Sequence, residues 1–300
     1  MSGIMDVTFI EVNEERIAKF NSLISPDTAE AISMPETYAI GVLRTTEEED
    51  VYRPIGIIVF DLFREIGEIY PSAAEIKWLY VEQEQRRNGI GSRLIAQVAA
   101  AVAGTGIRRL RCDMPPGLAK EGVSDFFAMR GFRRFETFGN RIEGTVGSLL
   151  SAAASMKEKS EDIYKLSDLP GEMLEMVMER MGRKNIIPNA EGIISKETEW
   201  IDRDVSHAVM SGGRAEMLFL VHKRPSGSLQ ALVIRTLDER TVAQDNCMMK
   251  TLLEVKSVYG FSAQMEIGCV READLSYLTE FFRNWNIREL TRMIADIGRI

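Results

Sequence analysis

The residues best suited to chemistry lie in one short segment, Gln85–Leu94, with the sequence QRRNGIGSRL. Arg86 and Arg87 supply guanidinium groups that bind phosphate, and Gly89 and Gly91 let a ligand approach the backbone closely. An apolar run with helical spacing follows at once, so the segment opens a helix. The first amides of a helix lack intrahelical partners and carry partial positive charge. The segment therefore predicts either a phosphate-binding loop or a tight strand-to-helix turn.

Three phosphate-binding patterns can be compared with this loop. A P-loop needs GxxxxGK followed by Ser or Thr, which the sequence lacks. The dinucleotide fingerprint GxGxxG fails because Leu94 stands at the third glycine, and the acidic Asp113 in the next strand does not rescue it. The third pattern, R/Q-x-x-G-x-G/A, is met by residues 86–91. This pattern has its expected context, since an apolar strand precedes it and an amphipathic helix follows.

Other kinds of catalytic site are poorly supplied by this sequence. It has two histidines, His207 and His222, so neither a zinc site nor a Ser-His-Asp triad is expected. The three cysteines, Cys112, Cys247 and Cys269, lie far apart without CxxC spacing. They predict buried thiols in a reducing compartment, and no metal site is expected.

Composition narrows the class of protein further. The net charge of -8 and pI near 5.1 argue against a general nucleic-acid binder. The N-terminus has no basic segment followed by an apolar core, so no signal peptide is expected. The most apolar run, residues 94–107, is broken by Gln97 and glycines and is too short to span a bilayer. These features predict a cytoplasmic protein with neither nucleic-acid nor membrane partners.

The elements that must position the loop form a mixed α+β pattern in the first half. The element order is βααβββαβαβ, which has an antiparallel front and one β-α-β crossover. Strands are predicted near residues 7–12, 37–45, 54–63, 74–82, 107–114 and 133–139, and helices near 17–24, 25–33, 91–103 and 122–132.

The second half repeats this element order. We therefore predict two similar domains, 1–148 and 160–300, joined by a linker at 149–159, with the last strand of the second domain supplied by RELTRMIADI. The alternative is a single two-part fold whose halves resemble each other by chance. At the place of the loop the second half has LDERTVAQDNC, without the glycines, so only the first half is expected to hold a cofactor.

With these elements, the first half resembles a GNAT N-acetyltransferase domain over essentially its whole length. The segment AEIKWLYVEQEQRRNGIG is similar to the strand, loop and helix of the histone-acetyltransferase branch, and FFAMRGF resembles the late Y…GF segment. The second half resembles a degenerate GNAT domain. The resemblance implies a GNAT-like mixed sheet flanked by helices, in two similar domains in tandem.

The resemblance also implies acetyl-CoA as the cofactor. Its pyrophosphate is expected on the loop amides and its pantetheine arm along the strand, held by backbone hydrogen bonds. The acyl group is expected where the strands WLYV and IRRLRCDM part. The expected cofactor-binding residues are Leu79, Tyr80, Val81, Arg86, Arg87, Asn88, Gly89, Ile90, Gly91 and Ser92.

The expected catalytic residues lie on the same strand. Glu75 matches the base-bearing position of the histone-acetyltransferase branch, and Glu82 is the second candidate; otherwise both are solvated carboxylates at strand ends. A strand amide near Tyr80 is expected to stabilise the oxyanion. Phe127 departs from the family pattern, because many GNATs have at this position a tyrosine that acts as the general acid. Either the thiolate takes a solvent proton, or Tyr80 replaces that acid, or catalysis is weak.

Three functions follow from this reasoning. The first is an N-acyltransferase that moves an acetyl group from acetyl-CoA to an amine of a small molecule or peptide, while the second half walls the acceptor site or mediates homodimerisation. The alternative is a non-catalytic acyl-CoA-binding or regulatory protein. The third, a nucleotide-binding protein of another fold, is disfavoured because alternating βαβ units are missing.

Overall fold

The fold is described by a computed structural model, which resolves two compact units. The first unit comprises Met1–Phe138 with Leu290–Ile300, and the second comprises Gly139–Glu289. Strands β1–β13 and helices α1–α6 are numbered along the chain. The structure describes residues 7–34, 37–45, 52–63, 73–115, 118, 122–139, 141–153, 162–173, 201–212, 214–269, 272–283, 285, 287 and 289–300.

A seven-stranded mixed sheet forms the first unit, in the order β1-β2-β3-β4-β5-β13-β6. Strands β1 to β4 pair antiparallel, whereas β4 and β5 pair parallel across the crossover helix α2. The strands are β1 (Val7–Glu11), β2 (Thr37–Thr45), β3 (Tyr52–Phe63), β4 (Ala73–Val81), β5 (Arg109–Met114), β6 (Arg133–Gly139) and β13 (Glu289–Asp296). The helices are α1 (Pro26–Ile32), α2 (Ile90–Val102) and α3 (Val123–Ala128).

Both faces of this sheet are covered by apolar side chains. Helix α2 buries the stripe Ile90, Leu94, Ile95, Val98 and Val102, whose spacing places them on one side of the helix, against one face of the sheet. Each such side chain contributes about 1.5–3 kcal/mol of burial free energy. On the opposite face, α1 and a short 3-10 helix, Ile17–Phe20, bury their apolar residues over Ile57 and Val59. The prediction of a regular helix near residues 17–24 was therefore wrong, and the segment forms the 3-10 helix instead.

The second unit repeats the arrangement with six strands, in the order β7-β12-β11-β10-β9-β8. Strands β11 and β12 pair parallel across helix α5, as β4 and β5 do across α2, and β8 to β11 pair antiparallel. The predicted α+β class with two similar units is thus confirmed. The elements are β7 (Arg141–Thr145), α4 (Val146–Ala152), β8 (Ile163–Lys165), β9 (His207–Ser211), β10 (Arg214–Lys223), β11 (Leu229–Arg235), α5 (Val242–Tyr259), β12 (Gln264–Cys269) and α6 (Glu272–Phe281).

Two strands lie in a different unit from the one predicted. Strand β13, expected to complete the second domain at 160–300, pairs antiparallel with β5 in the first sheet. Strand β7, inside the predicted first domain 1–148, pairs antiparallel with β12 in the second. Met293 and Ala295 of β13 are buried in the core of the first unit. Alternation in a sequence shows which residues share a strand face, but not which sheet the strand joins.

The predicted linker at 149–159 is only partly described by the structure. Residues 149–152 belong to α4, and Ala153 forms an isolated bridge with Phe282. Residues 154–159 lie outside the described residues, as do most of the methionine-rich segment near residues 173–181 and the acidic residues 46–50. Among the helices that the structure describes, none is long and apolar enough to cross a membrane.

Candidate functional site

The two parallel strands of the first unit, β4 and β5, separate halfway along β4. Strands β4 and β5 pair only from Ala73↔Arg109 to Ile76↔Cys112, while β4 continues to Val81. The register between β3 and β4 also shifts here, leaving Lys77 as an extra residue in a β-bulge. The edge of β4 beyond Ile76 therefore faces a gap, at the place where the sequence predicts it.

Backbone geometry decides which groups of β4 face this gap. The Glu82 N–H donates to the Ile55 carbonyl of β3 at 2.9 Å. Because backbone groups alternate along a strand, the Tyr80 N–H points toward β3 and those of Leu79 and Val81 point toward the gap. The strand amide near Tyr80 that is expected to stabilise the oxyanion therefore stays a prediction, and this geometry favours the amide of Leu79, which faces the gap nearest to the bulge at Lys77.

The loop between β4 and α2 has the backbone of a ligand-binding turn. Arg87 and Gly89 have φ angles of 68° and 76°, and helix α2 begins at Ile90. Gly89 is the N-cap residue and supplies no side chain to cap the helix. Consequently the amides of the first turn have no intrahelical acceptor and remain directed outward. This uncapped terminus is the feature that an external phosphate requires.

The two glycines of the loop are needed for different reasons. A Cβ at Gly89 would meet nothing within 4 Å, so this position needs glycine for its positive φ angle alone. A Cβ at Gly91 would lie 3.1 Å from Cζ of Phe126, so a small residue at this position lets helix α2 pack closely on that ring. The R/Q-x-x-G-x-G/A pattern thus combines one conformational and one packing requirement.

Arg86 secures the loop to the end of the strand. Its Nε donates to the Val81 carbonyl at 3.0 Å, and its guanidinium carbon lies 5.6 Å from the centroid of the Tyr80 ring. The side chains of Arg86 and Arg87 are exposed, so both lie at the surface of the loop. Arg86 therefore positions the loop in addition to supplying positive charge near it.

Glu75, the first candidate base, is held in two ion pairs. Its Oε1 accepts from Lys77 Nζ at 2.8 Å, and its Oε2 accepts from Arg111 Nε at 2.8 Å. Burial alone raises the pKa of this carboxyl, but the two cations outweigh burial and lower the pKa to about 2. A carboxylate with so low a pKa is a poor proton acceptor at neutral pH. The sequence could not reveal this, because Arg111 is 36 residues away.

Glu75 belongs to a row of charged and polar side chains that we call the charged ladder. Its members are Thr37, Asp61, Glu75, Lys77, Arg111, Asp113 and Arg292. Asp61 accepts from Thr37 Oγ1 at 2.8 Å and lies 3.5 Å from Lys77 Nζ. Burial raises the pKa of Asp61, against the opposing effects of Lys77 and Thr37. At the other end, Arg292 Nε and Nη2 each donate to Asp113 at 2.9 Å. The ladder crosses one face of the sheet where β4 and β5 part.

Glu82, the second candidate base, has a different environment. Its Oε1 accepts from Arg53 Nη2 at 2.7 Å. Its Oε2 is buried and has no hydrogen-bond partner among the residues that the structure describes. A buried carboxylate oxygen without a donor is costly unless a ligand or water supplies one. Of the two predicted carboxylates, Glu82 therefore keeps an oxygen available to accept a proton.

The aromatic candidates occupy apolar surroundings. Phe127 is buried in the core, with its ring centroid 5.3 Å from Phe126 and 5.0 Å from Phe132. The position that many GNATs give to an acid therefore serves packing here. Tyr80 packs on the apolar cluster beneath α1, beside Trp78. Trp78 itself donates from Nε1 to the Leu23 carbonyl at 3.0 Å, which ties β4 to the segment before α1.

In the second unit, the corresponding helix terminus is capped by its own residues. Thr241 and Gln244 form a capping box: the Gln244 amide donates to Thr241 Oγ1, and the Thr241 amide donates to Gln244 Oε1, both at 3.3 Å. Arg240 pairs with Asp245 in the first turn of α5, with Nε–Oδ1 at 2.9 Å. The amide at the third position of the helix, which α2 leaves free at Ser92, is therefore used internally in α5 at Gln244.

Arg235, the last residue of β11, links the segments around this helix terminus in the second unit. Its side chain is 1% exposed, and its Nη2 donates to the carbonyls of Asp238 and Glu239 at 2.9 and 2.7 Å. Its Nε donates to Gln244 Oε1 at 3.2 Å, and its Nη1 donates to the Ala273 carbonyl at 3.2 Å. One guanidinium thus joins the end of β11, the following loop, α5 and α6.

Apart from Cys112 on β5, the histidines and cysteines belong to the second unit. His207 is buried in the second unit with Nδ1 3.0 Å from Thr251 Oγ1, and burial lowers its pKa to about 4. Burial raises the pKa of the Cys247 thiol to about 12, and it also raises the pKa of the Cys112 thiol. Within the described part of the chain, no group of three or more His, Cys, Asp and Glu residues forms a metal site.

Comparisons with known proteins agree with this geometry. Residues 13–119 match the Acetyltransferase (GNAT) family. A tandem GNAT protein from the clavulanic acid biosynthesis pathway superposes with a TM-score of 0.67 at 14% identity, covering 98% of this chain and 99% of that one. The GCN5-related N-acetyltransferase from Sphaerobacter thermophilus gives 0.59 at 13% identity, covering 96% of each chain. That from Kribbella flavida gives 0.56 at 12%, covering 98% and 72%.

These matches show the fold of the chain, which is that of tandem GNAT proteins. The match to the family model itself covers residues 13–119, within the first unit. A comparison with curated protein sequences finds no match.

Proposed function

We propose that this protein is an N-acyltransferase that moves an acetyl group from acetyl-CoA to an amine acceptor. The observation that carries the proposal is the parting of β4 from β5 beside the uncapped terminus of α2. One groove then offers backbone donors for a phosphate at one end and for a thioester at the other. Our proposal gives the second unit no cofactor, because its helix terminus is capped internally.

Each part of acetyl-CoA has a corresponding place in the first unit. The pyrophosphate lies on the amides of residues 87–92, where the helix dipole favours negative charge. The pantetheine arm runs along the open edge of β4 and bonds to the backbone of Leu79 and Val81, as an added strand would. The thioester then lies near the bulge at Lys77, between β4 and β5.

Acyl transfer in this groove needs an amine that has lost a proton. Its nitrogen attacks the thioester carbon, a C–N bond forms, and the Leu79 amide stabilises the oxyanion. The C–S bond then breaks, and CoA leaves as a thiolate that takes a proton from solvent or from Tyr80. In our proposal Glu82 Oε2 accepts the amine's proton through intervening water, since Glu82 lies three residues, roughly 10 Å, beyond Leu79 along the strand. Glu75 is not the acceptor, because two cations neutralise it.

The alternative is an acyl-CoA-binding protein without turnover. It is favoured by two observations: the buried Phe127 at the usual acid position, and the ion-paired Glu75. Release of free thiol from acetyl-CoA in the presence of a panel of amines would exclude it. Binding of acetyl-CoA with no thiol release across that panel would favour it.

The proposal extends to the acceptor and to the cellular location. We infer an amine-bearing small molecule or peptide as the acceptor, and a cytoplasmic protein that does not bind nucleic acid. A homodimer joined by the second unit is part of the same proposal, and it does not change the expected binding of acetyl-CoA by the first unit.

Thermal unfolding with acetyl-CoA tests the proposed cofactor. At 100 times the Kd, a ligand stabilises the native state by about 2.7 kcal/mol, which raises the melting temperature by a few degrees. Gly89→Asp should abolish this rise, because it brings a negative charge to the phosphate site. The matched control is Gly104→Asp, since Gly104 also has a positive φ of 86° and open space at its Cβ. No rise at millimolar acetyl-CoA would contradict the proposal.

A further inference from the structure

Arg130 contacts the first turn of α2 from the segment that follows α3. Its guanidinium carbon lies 3.6 Å from the centroid of the Phe126 ring, so the cation lies over the face of that ring. Its Nη1 donates to the Phe126 carbonyl. Its Nε donates to Ser92 Oγ at 2.8 Å, and Nη2 donates to the same oxygen. Three contacts therefore fix the guanidinium beside the third residue of α2.

This double contact determines what the Ser92 hydroxyl can do. A serine hydroxyl accepts two hydrogen bonds and donates one. Arg130 fills both acceptor positions of Ser92 Oγ, so its hydrogen must point elsewhere. Helical serines often donate to a carbonyl one turn back, as Ser151 does to Gly147 at 2.8 Å. Ser92 makes no such bond within the described residues, and its hydrogen is left for an external acceptor.

The external acceptor follows from the position of Ser92. It lies in the uncapped first turn of α2, whose amides have no intrahelical partner. In the proposed function this turn receives the pyrophosphate of acetyl-CoA, an anion with acceptor oxygens only. The hydroxyl hydrogen of Ser92 completes that set of donors, and the guanidinium adds positive charge behind it. Burial lowers the pKa of Arg130, yet an arginine stays charged at neutral pH.

We propose that Arg130 is a positioning residue that fixes the Ser92 hydroxyl as a hydrogen-bond donor to the pyrophosphate of acetyl-CoA. The inference rests on the proposed function, since it assigns a role within the same cofactor site. It also accounts for the stacking of Arg130 on Phe126, the ring that packs against Gly91. The pantetheine end of the cofactor lies outside its reach in this assignment.

The test compares two ligands that differ in the phosphates. Acetyl-CoA and acetyl-pantetheine are titrated into the full chain and into Arg130→Met, Ser92→Ala and the double variant. A hydrogen bond to a charged group is worth roughly 1.5–3 kcal/mol, so each single change should weaken acetyl-CoA about 10-fold or more. Because Arg130 acts through Ser92, the double variant should be weakened little beyond Arg130→Met. Affinity for acetyl-pantetheine should not change.

Arg93→Met is the matched control, because Arg93 lies next to Ser92 and its guanidinium stacks on Phe9 at 4.8 Å. It removes the same charge from the same helix end and should change acetyl-CoA affinity by less than about twofold. Equal affinity of wild type and Arg130→Met overturns the inference while leaving the cofactor site intact. If the losses of acetyl-CoA affinity in the two single variants multiply in the double variant, the inference is overturned too. Wild type that binds no acetyl-CoA overturns the proposed function itself.

Discussion

Glu75 and Arg111 face each other across β4 and β5, one register position before the two strands part. Their side chains form a buried ion pair, Arg111 Nε to Glu75 Oε2 at 2.8 Å, and Lys77 at the bulge completes it. The carboxylate expected to act as a base thus holds together the strands that frame the groove. This relationship separates the two roles: Glu75 positions the groove, and Glu82 is left to take the proton.

The stability of the protein should depend on pH through Glu75. Its pKa is about 2 in the folded chain and 4.5 as the ordinary value, so folding favours the ionised form. That contribution, about 3 kcal/mol, is fully present above pH about 5 and is lost as pH falls toward 2. Urea unfolding of wild type and Glu75→Gln should differ most at pH 7, and the gap should shrink at pH 3. A gap that is the same at both pH values would refute the ion-pair account.

Glu82 should control turnover more than binding. Glu82→Gln removes the proton acceptor, and the loss of a general base typically lowers rate by about 100- to 10,000-fold. The Kd for acetyl-CoA should stay within about threefold, because the side chain lies outside the phosphate loop. Glu84→Gln is the control, since Glu84 is an exposed neighbour in the same turn. Full turnover by Glu82→Gln would rule Glu82 out as the base.

The C-terminal strand should be required for cofactor binding, although it lies far from the loop in sequence. Removing residues 289–300 takes Met293 and Ala295 from the core and Arg292 from its pair with Asp113. Strand β5 then loses its neighbour β13, which lies between β5 and β6 in the sheet. The shortened chain should bind no acetyl-CoA, and a peptide of residues 288–300 added in trans should restore part of the binding. Normal binding by the shortened chain would contradict the observed strand order.

Arg235 should stabilise the second unit without any effect on the cofactor. Arg235→Met removes the guanidinium that lies 4.0 Å from the buried carboxylate of Asp274. It also leaves three backbone carbonyl groups without the donor they have in wild type. Breaking a buried pair in this way costs about 3–5 kcal/mol. Denaturant unfolding should show that loss, whereas the exposed control Arg214→Met should stay within about 0.5 kcal/mol of wild type. A second acetyl-CoA bound by Arg235→Met would contradict the prediction.

The sequence was sufficient to predict those features that depend on neighbouring residues. The loop, its strand and its helix lie within about 30 residues, and Gly89 and the stripe on α2 act through local conformation and periodicity. Ser25 and Pro26 likewise mark the start of α1, where the Thr28 amide donates to Ser25 Oγ at 3.1 Å. Such signals predict where an element begins and what its first residues can bind.

The features that the sequence did not predict depend on cross-strand register. Arg111 meets Glu75 only because β4 and β5 pair in one register, and Arg292 meets Asp113 only because β13 enters the first sheet. Arg130 reaches Ser92 across 38 residues. Spacing along the chain carries no information about such contacts, although an unexplained arginine beside a Gly-Phe pair is a residue worth testing.

Acetyl-CoA binds in the first unit alone in our proposal, and hydrogen–deuterium exchange with and without acetyl-CoA tests this. We expect slower exchange at the amides of residues 87–92 and at Leu79 and Val81, which line the loop and the open edge of β4. We expect no change at residues 236–246, where the capping box and Arg235 occupy the corresponding place. Protection at residues 236–246, or none at residues 79–92, would contradict it.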